Sequence, residues 1–426
     1  MNKRRYQSTA VNQVDWAALG QAASGRTVTF SVDVAKTNFM ADWMLPGYET
    51  VQIIRWRHPQ ETPLLVAGLR RLVPTVRIEV VMEPSGTYGD SLRYTLGQLG
   101  LPIYRVAPQR VHDAAEVFDG VPSLHDAKSA YLIGRLHQEG ASTPWQALSA
   151  ERRDAQALLA ELDLHREEQQ RNHHRLEAEL ARHWPEAEGI IGLDGVSLLS
   201  LMATYGDPYT LSQQRSAAHD LLRRTGGPLL KAEVIEGLLD SAAQTLGQPC
   251  TRAERAYLQC LAEELLRAHR AIAEVERRIA RQVEASPENQ RLADTLGIVT
   301  ALALFGLLGS PRDYPSVHHY LKALGLNLKE HSSGAHHGPL HITKRGPSRA
   351  RQYLYFAVLR WLPNPLVQTW YQAKSARDGG IHGNALISLM RRLAKGIWHV
   401  ARGAAFDTRK LFDPRLGEPA HGAEAH

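Results

Sequence analysis

The run Thr27-Val28-Thr29-Phe30-Ser31-Val32-Asp33-Val34-Ala35-Lys36 decides the reading of the amino-terminal third of this chain. It is dominated by β-branched and apolar residues, so it predicts a buried strand over 27–34 carrying an acid near its end. A second run, Val76-Arg77-Ile78-Glu79-Val80-Val81-Met82-Glu83, reads the same way and is followed by the turn Pro84-Ser85-Gly86-Thr87-Tyr88-Gly89. Asp126 opens a helix-like segment, Asp126-Ala127-Lys128-Ser129-Ala130-Tyr131-Leu132-Ile133-Gly134. Acids at strand ends and at a helix start can converge beyond one edge of a sheet. Such a cluster suits hard divalent cations, and two of them can clamp the attacking and leaving oxygens of a phosphodiester. For each acid alone, an unrelated surface carboxylate is the simpler reading; their order and setting favour a shared site.

Outward from these runs, residues 26–145 alternate between strand and helix patterns. Further strands are expected at 39–44 and 102–106, and helices at 63–72, 90–99 and 126–137, which fits an α/β domain. The link 108–124 is turn-rich around Phe118-Asp119-Gly120-Val121-Pro122. Residues 149–184 then form a polar helical pattern. A clearer helix follows, with Leu258, Leu261, Leu265, Ala268, Ile272, Val275 and Ile279 in three-four alternation. That spacing predicts a coiled-coil seam. The two segments are expected to pair as an antiparallel hairpin within 149–288, or to pair with another subunit. Residues 188–250 read as a helical insert between them. A mainly helical domain is expected over 292–412, and a Gly/Ala/His-rich tail over 414–426.

At 426 residues the chain is expected to hold two or three domains. Hydrophobic residues make up 43%, enough for packed cores. No apolar run predicts a membrane span, and the basic start Met1-Asn2-Lys3-Arg4-Arg5 lacks the apolar segment of a signal peptide. Cys250 and Cys260, the only cysteines, have no zinc spacing and exclude a disulfide framework. A reducing cytoplasm is the expected location. The net charge of +6 is modest, but its distribution is informative. Between Lys322 and Arg360 the bases Lys329, Lys344, Arg345, Arg349 and Arg351 face a single acid, Glu330, the footprint of a phosphate-binding surface. The helix expected over 384–404 adds Arg391, Arg392 and Lys395 on an amphipathic face suited to a nucleic-acid backbone.

Within this basic region lies Lys329-Glu330-His331-Ser332-Ser333-Gly334, followed by a His/Gly loop and His341-Ile342-Thr343-Lys344-Arg345-Gly346. A serine beside glycine in a cationic loop is a candidate nucleophile, because glycine admits a phosphate closely and cations stabilise the developing charge. A plain turn is the competing reading. His331, His336, His337 and His341 meet no standard zinc pattern and are expected as phosphate contacts or proton donors.

These pieces resemble the DEDD transposases of bacterial insertion sequences, the IS-one-ten family. The Val-Asp-Val-Ala-Lys strand, the Glu-Pro-Ser-Gly-Thr-Tyr turn and the Asp-x-x-x-Ala-x-Leu-Ile-Gly helix are similar to its amino-terminal domain. Gly325-Leu326, Ser333-Gly334 and Ile342-Thr343-Lys344-Arg345-Gly346 are similar to its carboxy-terminal domain. The resemblance implies a ribonuclease-H/RuvC-like amino-terminal fold holding Mg2+ (or Mn2+) on Asp33, Glu83 and Asp126. The family pattern has a fourth acid where this chain has Ser129, which could hold a metal-bound water; Asp119 and His125 are possible substitutes. It also implies that Ser333, with Ser332 as its neighbouring competitor, attacks DNA and forms a covalent phosphoserine. The two domains would complete one site across subunits of a dimer or tetramer. The partners implied are element ends, target DNA and a structured non-coding guide RNA. Two other functions stand beside this one: a metal-only, structure-selective DNA nuclease, and a domesticated DNA-binding protein without chemistry.

Overall fold

The computed structural model describes residues 6–84, 86–118, 120–330, 332–333, 336–337 and 340–412. The chain divides between Leu148 and Ser149 into two compact units.

The first unit is built on a seven-stranded mixed sheet in the order β1-β4-β3-β2-β5-β6-β7. Its strands are β1 (Ser8–Ala10), β2 (Thr27–Asp33), β3 (Asn38–Leu45), β4 (Glu49–Arg57), β5 (Arg77–Met82), β6 (Ile103–Arg105) and β7 (Thr143–Pro144). Helices α1 (Trp16–Ala22), α2 (Thr62–Leu72), α3 (Asp90–Gln98), α4 (Pro108–Asp113) and α5 (Asp126–Gln138) accompany it. The strand expected at 27–34 is the centre of the sheet. It pairs antiparallel with β3 and parallel with β5. Val28, Phe30 and Val32 are wholly buried in one core with Phe39, Trp43, Leu65 and Leu69. On the other face, α5 packs its Tyr131, Leu132 and Ile133 into a second core with Met44 and Val81. Five elements are not anticipated from sequence: β1, α1, α4, β7 and β4. The last alternates exposed and buried residues, so its polar half masks the strand pattern.

The second unit is helical. Two long helices, α6 (Ala150–His183) and α11 (Arg252–Glu284), run antiparallel. Arg166 reaches Glu276 at 2.8 Å, Arg278 reaches Glu161 at 2.8 Å and Arg182 reaches Glu254 at 3.0 Å. Each helix starts on a side-chain cap, Ser149 for α6 and a Thr251/Glu254 capping box for α11. Between them the insert forms α7 (Val196–Tyr205), α8 (Pro208–Gln213), α9 (Arg215–Gly226) and α10 (Ala232–Gln244).

The seam of α11 is covered within this one chain. Leu258, Leu261 and Leu265 pack into the core of the insert. Val275 and Ile279 pack against Leu158, Leu162 and Leu302. A two-stranded zipper surface awaiting another subunit is therefore not what these residues form: helices on several sides already bury them.

The remaining helices are α12 (Pro287–Leu296), α13 (Ile298–Leu308), α14 (Val317–Leu324), α15 (Ser348–Trp361), α16 (Pro365–Arg377), α17 (His382–Ala401) and α18 (Thr408–Phe412). α13 is apolar almost all round and packs on α6, α11, α12 and α15, as an enclosed helix should. It ties the hairpin and the carboxy-terminal helices into one unit. Short strands β8 (Leu328–Lys329), β9 (Ser332–Ser333), β10 (His336–His337) and β11 (His341–Ile342) lie between α14 and α15. Among the described residues, no helix is long and apolar enough to cross a membrane.

Candidate active sites

In the first unit the sheet register pairs Val32 of β2 with Met82 of the parallel strand β5. Asp33 and Glu83 are the next residues on each, so the two acids leave adjacent parallel strands at the same edge. The third acid arrives on α5, which crosses the sheet face formed by Thr29, Ser31 and Asp33. Gln138 near the end of α5 donates to Thr29 Oγ1 at 3.3 Å. Halfway along, a Cβ on Gly134 would stand 2.6 Å from Ser31 Oγ and 3.0 Å from Met44 Cε. Glycine there is what lets the helix lie on the strand. Asp126, in the first turn of α5, is thereby brought to the acid edge.

The three carboxylates sense one another. Burial is the main reason that the Asp33 carboxyl is pushed from the ordinary 3.8 up to about 7, and repulsion from Asp126 and then Glu83 adds to it. A divalent cation would relieve that repulsion, and carboxylate oxygens are the ligands that Mg2+ and Mn2+ take, so the donor set fits. The fit is open rather than closed. Among the described residues the one His/Cys/Asp/Glu group whose ligand atoms all lie within 4.8 Å of each other is His173, His174 and Glu177 on α6. The acid trio is wider than that, so a cation there would take a rotated carboxylate or reach one acid through water.

Ser129 lies one turn along α5 from Asp126, half-buried, with its backbone N–H on His125 O at 2.9 Å. His125 is spent as the helix cap: its Nδ1 accepts from Lys128 N at 3.3 Å, and its ring meets Tyr6 edge-on at 5.0 Å. Asp119 lies outside the described residues.

In the second unit the serine segment forms a two-step arm. Lys329 pairs with His341 and Leu328 with Ile342 at its base. Ser333 pairs with His336, and Ser332 with His337, further out. Ser333 is the last residue of β9; His331, Gly334 and Ala335 are outside the described residues.

The base of the arm is fixed by glycines at two positions. Gly325 ends α14 in the left-handed region, at φ 70°, and a Cβ there would stand 2.8 Å from the backbone of Arg345. Gly346 lies so close to Ala323 that a Cβ would be 2.2 Å from its carbonyl oxygen. Between them Thr343 Oγ1 donates to Asn327 Oδ1 at 2.5 Å, and Lys344 N donates to Gly325 O at 3.0 Å. The two sequence motifs, Gly-Leu and Ile-Thr-Lys-Arg-Gly, are therefore one interlocked feature.

Against this base opens a cavity of about 710 Å³ lined by Lys329, His341, Lys344, Lys374, Asp378 and Arg391, among others. Its wall on α16 is not expected from sequence, whereas Arg391 on α17 is one of the predicted bases. Lys374 and Asp378 form a 3.0 Å ion pair there; their i,i+4 spacing was the available signal.

The structure sorts the predicted basic residues. Lys344 and Arg391 line the cavity, while Arg345 and Lys395 are exposed. Arg351 instead donates to Leu324 O at 3.1 Å and Gly346 O at 3.0 Å, Arg349 pairs with Asp163, and Arg392 donates to Leu411 O at 2.9 Å beneath Trp370. These three hold the fold around the cavity.

Comparison with known proteins bears on this second unit directly. Residues 293–372 match the transposase family described as IS116/IS110/IS902, a segment that contains the arm, both glycines and α15. Over 326 residues the chain is 25% identical to the transposase for insertion sequence element IS1111A of Coxiella burnetii (strain RSA 493 / Nine Mile phase I), covering 75% of this chain and 76% of that protein. The two matches support the recognition of an insertion-sequence transposase of the IS110 type.

Proposed function

We propose that this chain cuts and rejoins DNA at the ends of an insertion sequence and its target through a serine–phosphate intermediate on Ser333. The observation that carries this is the placement of Ser333 on the β9–β10 pair, beyond a strand pair that borders a basic cavity and inside the segment that matches the transposase family. In this reading Lys329, Lys344, Lys374 and Arg391 hold backbone phosphates beside the arm. Ser333 Oγ attacks phosphorus, the bond to the leaving strand oxygen breaks, and that oxygen takes up a proton. A strand hydroxyl then attacks the phosphoserine and releases the serine.

The acid edge of the first unit is read as the metal-bearing partner. Asp33, Glu83 and Asp126, with Ser129 holding a water, would hold Mg2+ or Mn2+, which supplies charge neutralisation at phosphate oxygens. The strand order β4-β3-β2-β5-β6, with acids at the ends of the two central parallel strands, supports a ribonuclease-H/RuvC-like reading of this unit. Acids and serine lie in different units of the chain, so the proposal joins them on one DNA within an assembly of copies, guided by a structured RNA. Incubation of the full chain with element-end DNA, followed by denaturing gel analysis, tests it: Ser333→Ala binds the DNA and forms no covalent adduct.

A further inference from the structure

At the opposite end of the sheet face from Asp33, three side chains form a hydrogen-bonded chain that transposition chemistry does not use. Ser142 Oγ lies 2.7 Å from His137 Nδ1, and His137 Nε2 lies 3.1 Å from Glu79 Oε2. The other Glu79 oxygen accepts from Arg77 at 3.2 Å. The His137 side chain is only 9% exposed and is held by the Tyr104 ring, whose centroid is 4.6 Å away. Ser142 is half-buried. All three line a cavity of about 630 Å³ together with Thr27, Thr29 and Tyr48.

The partners decide the tautomer. A carboxylate only accepts, so the imidazole must carry its hydrogen on Nε2 toward Glu79. In the neutral imidazole Nδ1 then holds a lone pair, to which Ser142 can donate its O–H. A serine, a base that receives its proton and a carboxylate that orients the base are the parts of an activated nucleophile. A purely structural tie between α5 and β5 would need only the His137–Glu79 bond. The lining also speaks to the ligand. It holds hydroxyls, a carboxylate and two tyrosine rings, with no lysine or arginine among its residues. Arg77, outside the lining, is already paired with Glu79, so the lining itself offers an anion no cationic side chain, and the volume suits a small organic molecule.

We propose that Ser142 is a second activated serine and that its cavity takes a small uncharged carboxylic ester. Ser142 Oγ bonds to the carbonyl carbon while its proton passes to His137 Nδ1, and the Glu79 carboxylate faces the imidazolium that forms. The carbon–oxygen bond to the alcohol then breaks, and the alcohol departs with the proton from Nδ1, leaving an acyl-serine. Water attacks by the same route and releases the acid.

The test uses the full chain in a Ser333→Ala background, so that the arm serine cannot contribute. The probes are a fluorophosphonate and p-nitrophenyl acetate, read by intact mass, peptide mapping and nitrophenolate release. One adduct is expected, on the peptide containing Ser142. It is absent in Ser142→Ala and in urea-unfolded protein. Glu79→Gln, checked for fold by circular dichroism, slows labelling ~10-fold or more. Labelling of the folded chain no faster than of the unfolded chain overturns the proposal. So does labelling that survives Ser142→Ala, or a folded Glu79→Gln variant that reacts at the full rate.

Discussion

Asp33 and Glu83 leave adjacent parallel strands side by side, each one residue beyond the Val32–Met82 pair of the register. Their closeness has a cost in the absence of a cation, since the Asp33 carboxyl is held up at about 7 by burial and by its two acidic neighbours.

The pH dependence follows with a definite sign. Asp33 binds its proton more tightly in the folded chain than in the unfolded one, so its contribution to stability is full below pH 3.8 and is lost as pH rises through about 7. Metal-free protein should therefore lose stability across that window in denaturant titrations. Asp33→Asn should flatten this dependence.

Cation binding should show the converse. Protons compete for Asp33 below pH 7, so apparent Mn2+ affinity, followed by electron paramagnetic resonance, should fall ~tenfold per pH unit there. It should level off above pH 7. An affinity that does not change between pH 5.5 and 7 would separate Asp33 from the cation.

Gly134→Ala tests how α5 delivers Asp126. The added methyl meets Ser31 Oγ and Met44 Cε inside van der Waals distance, so a loss of roughly 1–3 kcal/mol in chemical unfolding is expected. The displaced helix should weaken Mn2+ binding as well, whereas Gly97→Ala, whose Cβ would meet Ile103 no closer than 3.9 Å, should leave it unchanged.

Much of this was legible. The β2 and β5 runs, the α5 start, the α6/α11 pair and the helix over 384–404, seen as α17, appear in the sequence because local pattern alone specifies them. The sites' second halves were not. Glu79 and His137 are 58 residues apart, and Lys374 joins the cavity only through the packing of α16. Arg349, Arg351 and Arg392 look like phosphate ligands in a list of charges, yet each is used by Asp163 or by backbone carbonyls.

That sorting is testable by salt dependence. Lys374→Gln or Arg391→Gln should lower DNA affinity and reduce the salt slope by about one each. Arg351→Gln should instead lower the melting temperature, since it frees the carbonyls of Leu324 and Gly346. A steeper slope change for Arg351 than for Lys374 would reverse the assignment.

The α11 seam leads to a stability effect rather than an assembly effect. Leu265 is fully buried in the insert core, so Leu265→Asp should cost roughly 3–5 kcal/mol, as an unpaired buried charge does. Light scattering beside urea unfolding separates this from a clean dissociation into folded single chains.

The most direct measurement is peptide mapping of a trapped protein–DNA adduct formed on element-end DNA by the full chain. The account predicts an oligonucleotide linked to the peptide containing Ser332 and Ser333, lost in Ser333→Ala and kept in Ser332→Ala, with DNA binding intact in both. Strand cleavage without any adduct, or an adduct that persists in Ser333→Ala, would contradict it.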